Sequence, residues 1–160
     1  MVREEVQIEA PYVQALPAVE RRLGLAAEQE GRCLLILDAP FGSNRILTRT
    51  VEVRTSRLGE GNFTARFEME WDAGPATLEG FPTPAFDGIA TVRAGEDYNQ
   101  SDLLLEGTCA PPGGPLGSLF NELAGRHITH AALHALLDGV KRELEIEHRA
   151  IEHAKQHNEA

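Results

Sequence analysis

The chain has 160 residues and a formal net charge of −10. That length supports one domain with a sizeable core, and the acidity excludes the basic stripe that a nucleic-acid backbone would need. No apolar run approaches the roughly 18 residues required to span a bilayer, and the N-terminal MVREEVQIEAPYV carries charges where a signal peptide would be apolar.

A soluble, cytoplasmic protein with no integral membrane segment is therefore expected. Cys33 and Cys109 are isolated in strand-like apolar runs without metal-type spacing, so they read as buried, reduced thiols.

In chain order, Val2 to Ala10 alternates as a short strand with Val6 and Ile8 inward, closed by Ala10-Pro11. Pro11 to Glu30 is helical in character but interrupted by Pro17 and Gly24. Two short helices meeting near Leu16 and Pro17 are predicted, with Val13, Leu16, Val19, Leu23 and Leu25 on their buried side. From Gly31 the period changes to two. Arg32–Asp38 and Arg45–Arg57 are strands, Gly59–Asn62 is a turn, and Phe63–Trp71 alternates cleanly, with Phe63, Ala65, Phe67, Met69 and Trp71 on one face. Gly74–Pro84 is a loop rich in Gly and Pro. Ala85–Arg93 and Asp102–Ala110 complete the strands.

The remainder is one long helix entered through a glycine-proline hinge. Leu116, Leu119, Phe120, Leu123, Leu133, Leu137, Val140 and Leu144 share one broad face at 3.6 residues per turn. A frayed tail is expected from about residue 154. The whole of 1–160 reads as a single α+β domain, in which a curved antiparallel sheet of about six strands wraps around the long C-terminal helix.

Element order, Ile8-Glu9-Ala10-Pro11 ahead of the short helices, and the segment Thr108–Leu119 (TCAPPGGPLGSL) together resemble the START-like, or helix-grip, superfamily (SRPBCC). It includes polyketide cyclases/dehydrases, plant pathogenesis-related allergens and lipid-transfer domains. The resemblance covers nearly the whole chain and implies a cavity between the concave sheet and the long helix. It specifies a fold rather than a chemistry.

On that implication the ligand-binding residues would be Phe63, Phe67, Met69, Trp71, Leu103 and Leu105 on the sheet. Leu116, Phe120, Leu123, His127, Ile128 and Ala131 would oppose them on the helix. The expected function is binding or transport of a small hydrophobic or amphipathic ligand: a lipid, polyketide or aromatic metabolite. One alternative is a cyclase/dehydratase in which His127 or His130 is the general base and an inward Arg or Tyr98 polarises a carbonyl. A second is a ligand-free interaction domain with a filled core.

The sharpest polar feature is His127, His130 and His134. Residues seven apart on a straight helix lie about 10 Å apart, so all three cannot reach one ion. A pair spaced by three or four could, but it would need a further ligand. No cofactor and no metal site are expected. His153 and His157 read as a surface face, and Arg66, Glu68 and Glu70 as solvated cross-strand partners.

Overall fold

The computed structural model describes residues 1–25, 28–41, 45–74, 83–110 and 122–158, with side chains described outside 39–47 and 122–126. Strand β1 (Val2–Ile8) leads into helix α1 (Tyr12–Arg22). Strands β2 (Glu30–Phe41), β3 (Arg45–Gly61), β4 (Thr64–Trp71), β5 (Ala85–Ala94) and β6 (Ser101–Ala110) follow, and helix α2 (Glu122–Asn158) closes the chain. The strands form one antiparallel sheet in the order β1-β6-β5-β4-β3-β2. Its two edges are thus β1 and β2, and α2 packs against both of them. A single helix can meet both edges only if the sheet curls strongly around it.

One helix, not two, follows β1. Pro17 lies inside α1 without breaking it. Its missing N–H deprives only the Val13 carbonyl one turn earlier, and Val13 is 58% exposed, so that carbonyl sits on the wet side of the helix. The helix ends at Gly24, whose φ of +71° lets its own N–H and that of Leu25 turn back onto the carbonyls of Arg21 and Glu20. At the other end of the chain α2 stays helical to Asn158, past the point where fraying was expected.

Alternation sets the core. On the inward face Trp71 pairs with Phe86 and then Cys109, Phe67 with Ala90 and Leu105, and Ala65 with Val92 and Leu103. The Trp71 and Phe86 rings stack 4.5 Å apart, and the buried indole N–H donates to the Pro84 carbonyl at 2.9 Å. Phe86 lies over two facing glycines: a Cβ on Gly88 or Gly107 would stand 2.5 or 2.6 Å from its ring. These glycines are floor space for an aromatic side chain. From α2 the sheet receives Ile128, Thr129, Ala132, Leu133, Leu137, Val140 and Leu144, all buried. No helix among the described residues is long and apolar enough to cross a membrane.

The β3–β4 turn differs from the sequence reading. Strand β3 runs on through Gly61, past an irregularity between Arg57 and Gly59, and the turn residues are Asn62 and Phe63. Both have positive φ (54° and 56°). That is the two-residue hairpin geometry in which glycine is usual at the second position, and a phenylalanine there is strained. Its ring makes an edge contact with Tyr12, at 5.9 Å between centroids.

Replacing Gly107 by Ala should cost about 1–3 kcal/mol through overpacking against Phe86 and the Asp87 carbonyl. Gly59→Ala, with nothing within 4 Å of its Cβ, should stay within about 0.5 kcal/mol. Urea midpoints of the two variants compare them directly.

Candidate functional site

The core between the curled sheet and α2 is built largely of buried apolar side chains. A small apolar pocket of ≈ 20 Å³ opens beside it, lined by Leu23, Met69, Ala90, Leu105 and Leu136 among others. Thr55, Thr83, Ser101 and Thr129 are the buried polar side chains among the described residues. The Thr129 hydroxyl is fully buried on the sheet-facing side of α2 and has no hydrogen-bond partner among the described residues. An orphaned buried hydroxyl costs about 1–3 kcal/mol, so it calls for an explanation.

Of the residues expected to line a cavity, Phe67, Met69, Trp71, Leu103, Leu105 and Ile128 are buried and brought together in this core. Three stand elsewhere, and so does His130, the alternative general base. Phe63 is 66% exposed because it belongs to the turn and not to the alternating strand. His127, His130 and Ala131 are exposed as well. The buried stripe of α2 is set by Ile128, Ala132, Leu133, Leu137 and Val140. At 100° per residue His127 and Ala131 fall on the opposite side, and His130 falls on its flank. Leu116, Phe120 and the side chain of Leu123 lie outside the described residues, as do the Gly113–Gly117 hinge and most of the Gly74–Pro84 loop.

Other polar candidates also face outward. Tyr98 is 78% exposed. Arg93 is spent on Glu5 at 2.7 Å and Asp102 at 3.3 Å, and Asp87 is exposed. Cys33 and Cys109 are half-buried free thiols, and burial pushes the Cys33 thiol up. As the alternation suggested, Glu68 and Glu70 point outward, Glu70 to Arg54 at 2.9 Å. They help to line a groove of ≈ 590 Å³ that Glu30, Arg32 and Arg54 also border. Arg54 binds Asp72 as well, and its hydrogen bonds hold that carboxyl below the usual range. These are exposed, mutually paired charges.

Around the rim, polar contacts fasten α2 to the rest of the chain. Glu143 takes Arg22, Glu147 stands 3.6 Å from Arg21, and His148 Nδ1 lies 2.7 Å from Gln14. Glu145 accepts from the Glu9 backbone N–H at 3.2 Å. On β1, Glu4 holds an inward register position between Val2 and Val6, with only 12% of its side chain exposed. His130 Nε2 approaches one of its carboxylate oxygens at 2.7 Å, and His134 Nδ1 the other at 3.2 Å. Sequence reasoning picked out the histidines and missed their partner. The signal was present: Glu4 is the charged residue in an otherwise apolar inward row, Val2, Val6 and Ile8.

A second, polar pocket of ≈ 230 Å³ opens where Arg57, Glu60 and Phe67 meet. The Arg57 guanidinium binds Glu20 at 2.7 Å, donates to the Glu28 carbonyl at 2.7 Å, and lies 5.8 Å above the Phe67 ring. Close by, the Tyr12 hydroxyl donates to Glu60 at 3.5 Å. Burial, and then the charge of Glu60, push the Tyr12 phenol above its ordinary range.

No protein-family model matches the chain, and no curated protein matches it in sequence. Solved structures do match in shape. A Thermus thermophilus protein, TTHA0849, superposes with a TM-score of 0.57 at 15% identity, over 89% of this chain and 95% of its own. A STAR-related lipid transfer protein of Xanthomonas axonopodis, a fragment, gives 0.53 at 16% identity, over 89% and 84%. The curled six-stranded sheet closed by a C-terminal helix is a START-like, helix-grip fold.

The Tyr12 environment sets a pH dependence. A phenol whose folded pKa is raised gives stability that is complete below the unfolded value and lost as pH rises through the folded one. Stability should therefore fall on going above pH 10, and less steeply in Tyr12→Phe, as measured by urea unfolding across that range.

Proposed function

We propose that the chain binds or carries a small hydrophobic or amphipathic molecule (a lipid, polyketide or aromatic metabolite) between the concave sheet and α2. Phe67, Met69, Trp71, Leu103, Leu105 and Ile128 would supply the sheet-and-helix contacts, and Leu116, Phe120 and Leu123 would extend them. The observation that carries this reading is the buried Thr129 hydroxyl, which has no hydrogen-bond partner among the described residues. Small-molecule sites pair apolar walls with a few fixed polar groups, and an unpaired interior hydroxyl suits a ligand carbonyl, carboxylate or hydroxyl. The likeness to a STAR-related lipid transfer protein points the same way.

The pocket of ≈ 20 Å³ beside Leu136 and Leu137 is too small for such a ligand, so entry at that point would require α2 to move away from the sheet. The contacts with Arg21, Arg22 and Gln14 all come from the C-terminal half of α2. Opening would therefore hinge there and swing the N-terminal half outward, breaking the contacts of His130 and His134 with Glu4.

Exposed apolar side chains on β2 favour a second reading, a ligand-free interaction domain. Leu34 and Ile36, 72% and 59% exposed on the edge strand β2, would then belong to a partner surface. A cyclase or dehydratase with His127 or His130 as interior base draws no support from their exposed positions.

Native mass spectrometry of freshly purified protein should show a retained lipid-like mass, and a fluorescent fatty-acid probe should bind saturably. Thr129→Val removes the orphan and should raise stability by about 1 kcal/mol, while weakening probe binding about fivefold through the lost hydrogen bond. Thr129→Ser should retain the affinity. No retained mass and no saturable probe binding would leave the ligand-free reading standing. Unchanged probe affinity in Thr129→Val would remove Thr129 as the anchor.

A further inference from the structure

We infer that Glu4, His130 and His134 form a binding site for a divalent transition ion, of the zinc, cobalt or nickel kind, that bridges β1 and α2. Two histidines four residues apart on a helix stand one above the other, and that spacing lets both imidazoles reach one ion. What the sequence withheld was a further ligand. The fold supplies it from the far end of the chain: Glu4, with one carboxylate oxygen 2.7 Å from His130 Nε2 and the other 3.2 Å from His134 Nδ1. Two imidazoles and a carboxylate are a donor set that zinc accepts, with a water completing the tetrahedron.

As they stand, no three His, Cys, Asp or Glu side chains among the described residues are placed to hold an ion. The reason is local. Each ring addresses a different oxygen of Glu4, so the carboxylate lies between them where an ion would sit. The histidine side chains are 53% and 62% exposed, which leaves them free to turn. Glu4 is anchored in the sheet opposite Leu105. An ion displaces the two contacts and draws both rings inward to about 2.0–2.1 Å from itself. The net charge of −10 favours the approach of cations. The site lies on the flank of α2 and not on its buried stripe, and an ion bridging it to β1 would hold the N-terminal half of the helix against the sheet.

One competing pair must be removed first. His153 and His157 share the same spacing, with ring centroids 4.5 Å apart. The experiment therefore uses the full chain carrying His153→Ala and His157→Ala, titrated with Zn²⁺, and with Co²⁺ followed by its visible absorption. One ion should bind per chain, with a rise in melting temperature that a chelator reverses. His130→Ala, His134→Ala and Glu4→Gln should each weaken binding at least about tenfold, no less than the loss of a supporting partner in known sites. Affinity should also fall on acidification, because protons compete for the imidazole nitrogens. Circular dichroism of the metal-free variants separates lost binding from lost folding. Absence of saturable binding in the parent would overturn the inference, and so would binding that survives Glu4→Gln and His134→Ala undiminished in folded protein.

Discussion

One constraint governs this molecule: a single helix has to satisfy both edges of one sheet. The order β1-β6-β5-β4-β3-β2 leaves the first two strands of the sequence unpaired on their outer sides, and α2 packs against each of them. Open edges invite association with other chains, and curling the sheet onto a helix is one way to protect them. Curvature then fixes everything inside. It converges alternate side chains of six strands on one axis, and α2 must present an apolar stripe wide enough to meet them all.

The stripe is made of medium and small residues, while the largest side chains come from the sheet. Phe86 lies flat across Gly88 and Gly107 and carries Trp71 above it, so aromatic volume fills the concavity from the strand side. Polar contacts hold α2 to α1 along its C-terminal half and to Glu4 of β1 nearer its start.

Polar chemistry has been moved to the flanks. Glu4 occupies an inward register on an edge strand, where a carboxylate is costly unless it is met, and His130 and His134 meet it. Arg57 is treated alike, between Glu20, a backbone carbonyl and the Phe67 ring. Both arrangements join segments far apart in sequence. They orient helices against the sheet, a task that apolar contacts alone perform loosely.

Periodicity alone determined the elements. Alternation of Ala65, Phe67, Met69 and Trp71 placed β4 and its inward face, and the 3.6-residue spacing of Leu133, Leu137, Val140 and Leu144 placed α2 and its stripe, because these repeats are local consequences of backbone geometry. Local signals were less reliable where one residue had two uses. Pro17 suggested a break, yet exposure of the Val13 carbonyl let the helix pass, and Phe63 continued an alternation that the Asn62–Phe63 turn had already ended. Only the tertiary structure decided which way His127 and His130 face, how far the concavity is filled, and that Glu4 stands beside two histidines more than 120 residues away. Those outcomes depend on the rotation of α2 about its own axis and on the curl of the sheet, and both are set by packing between distant segments that no short window of sequence contains.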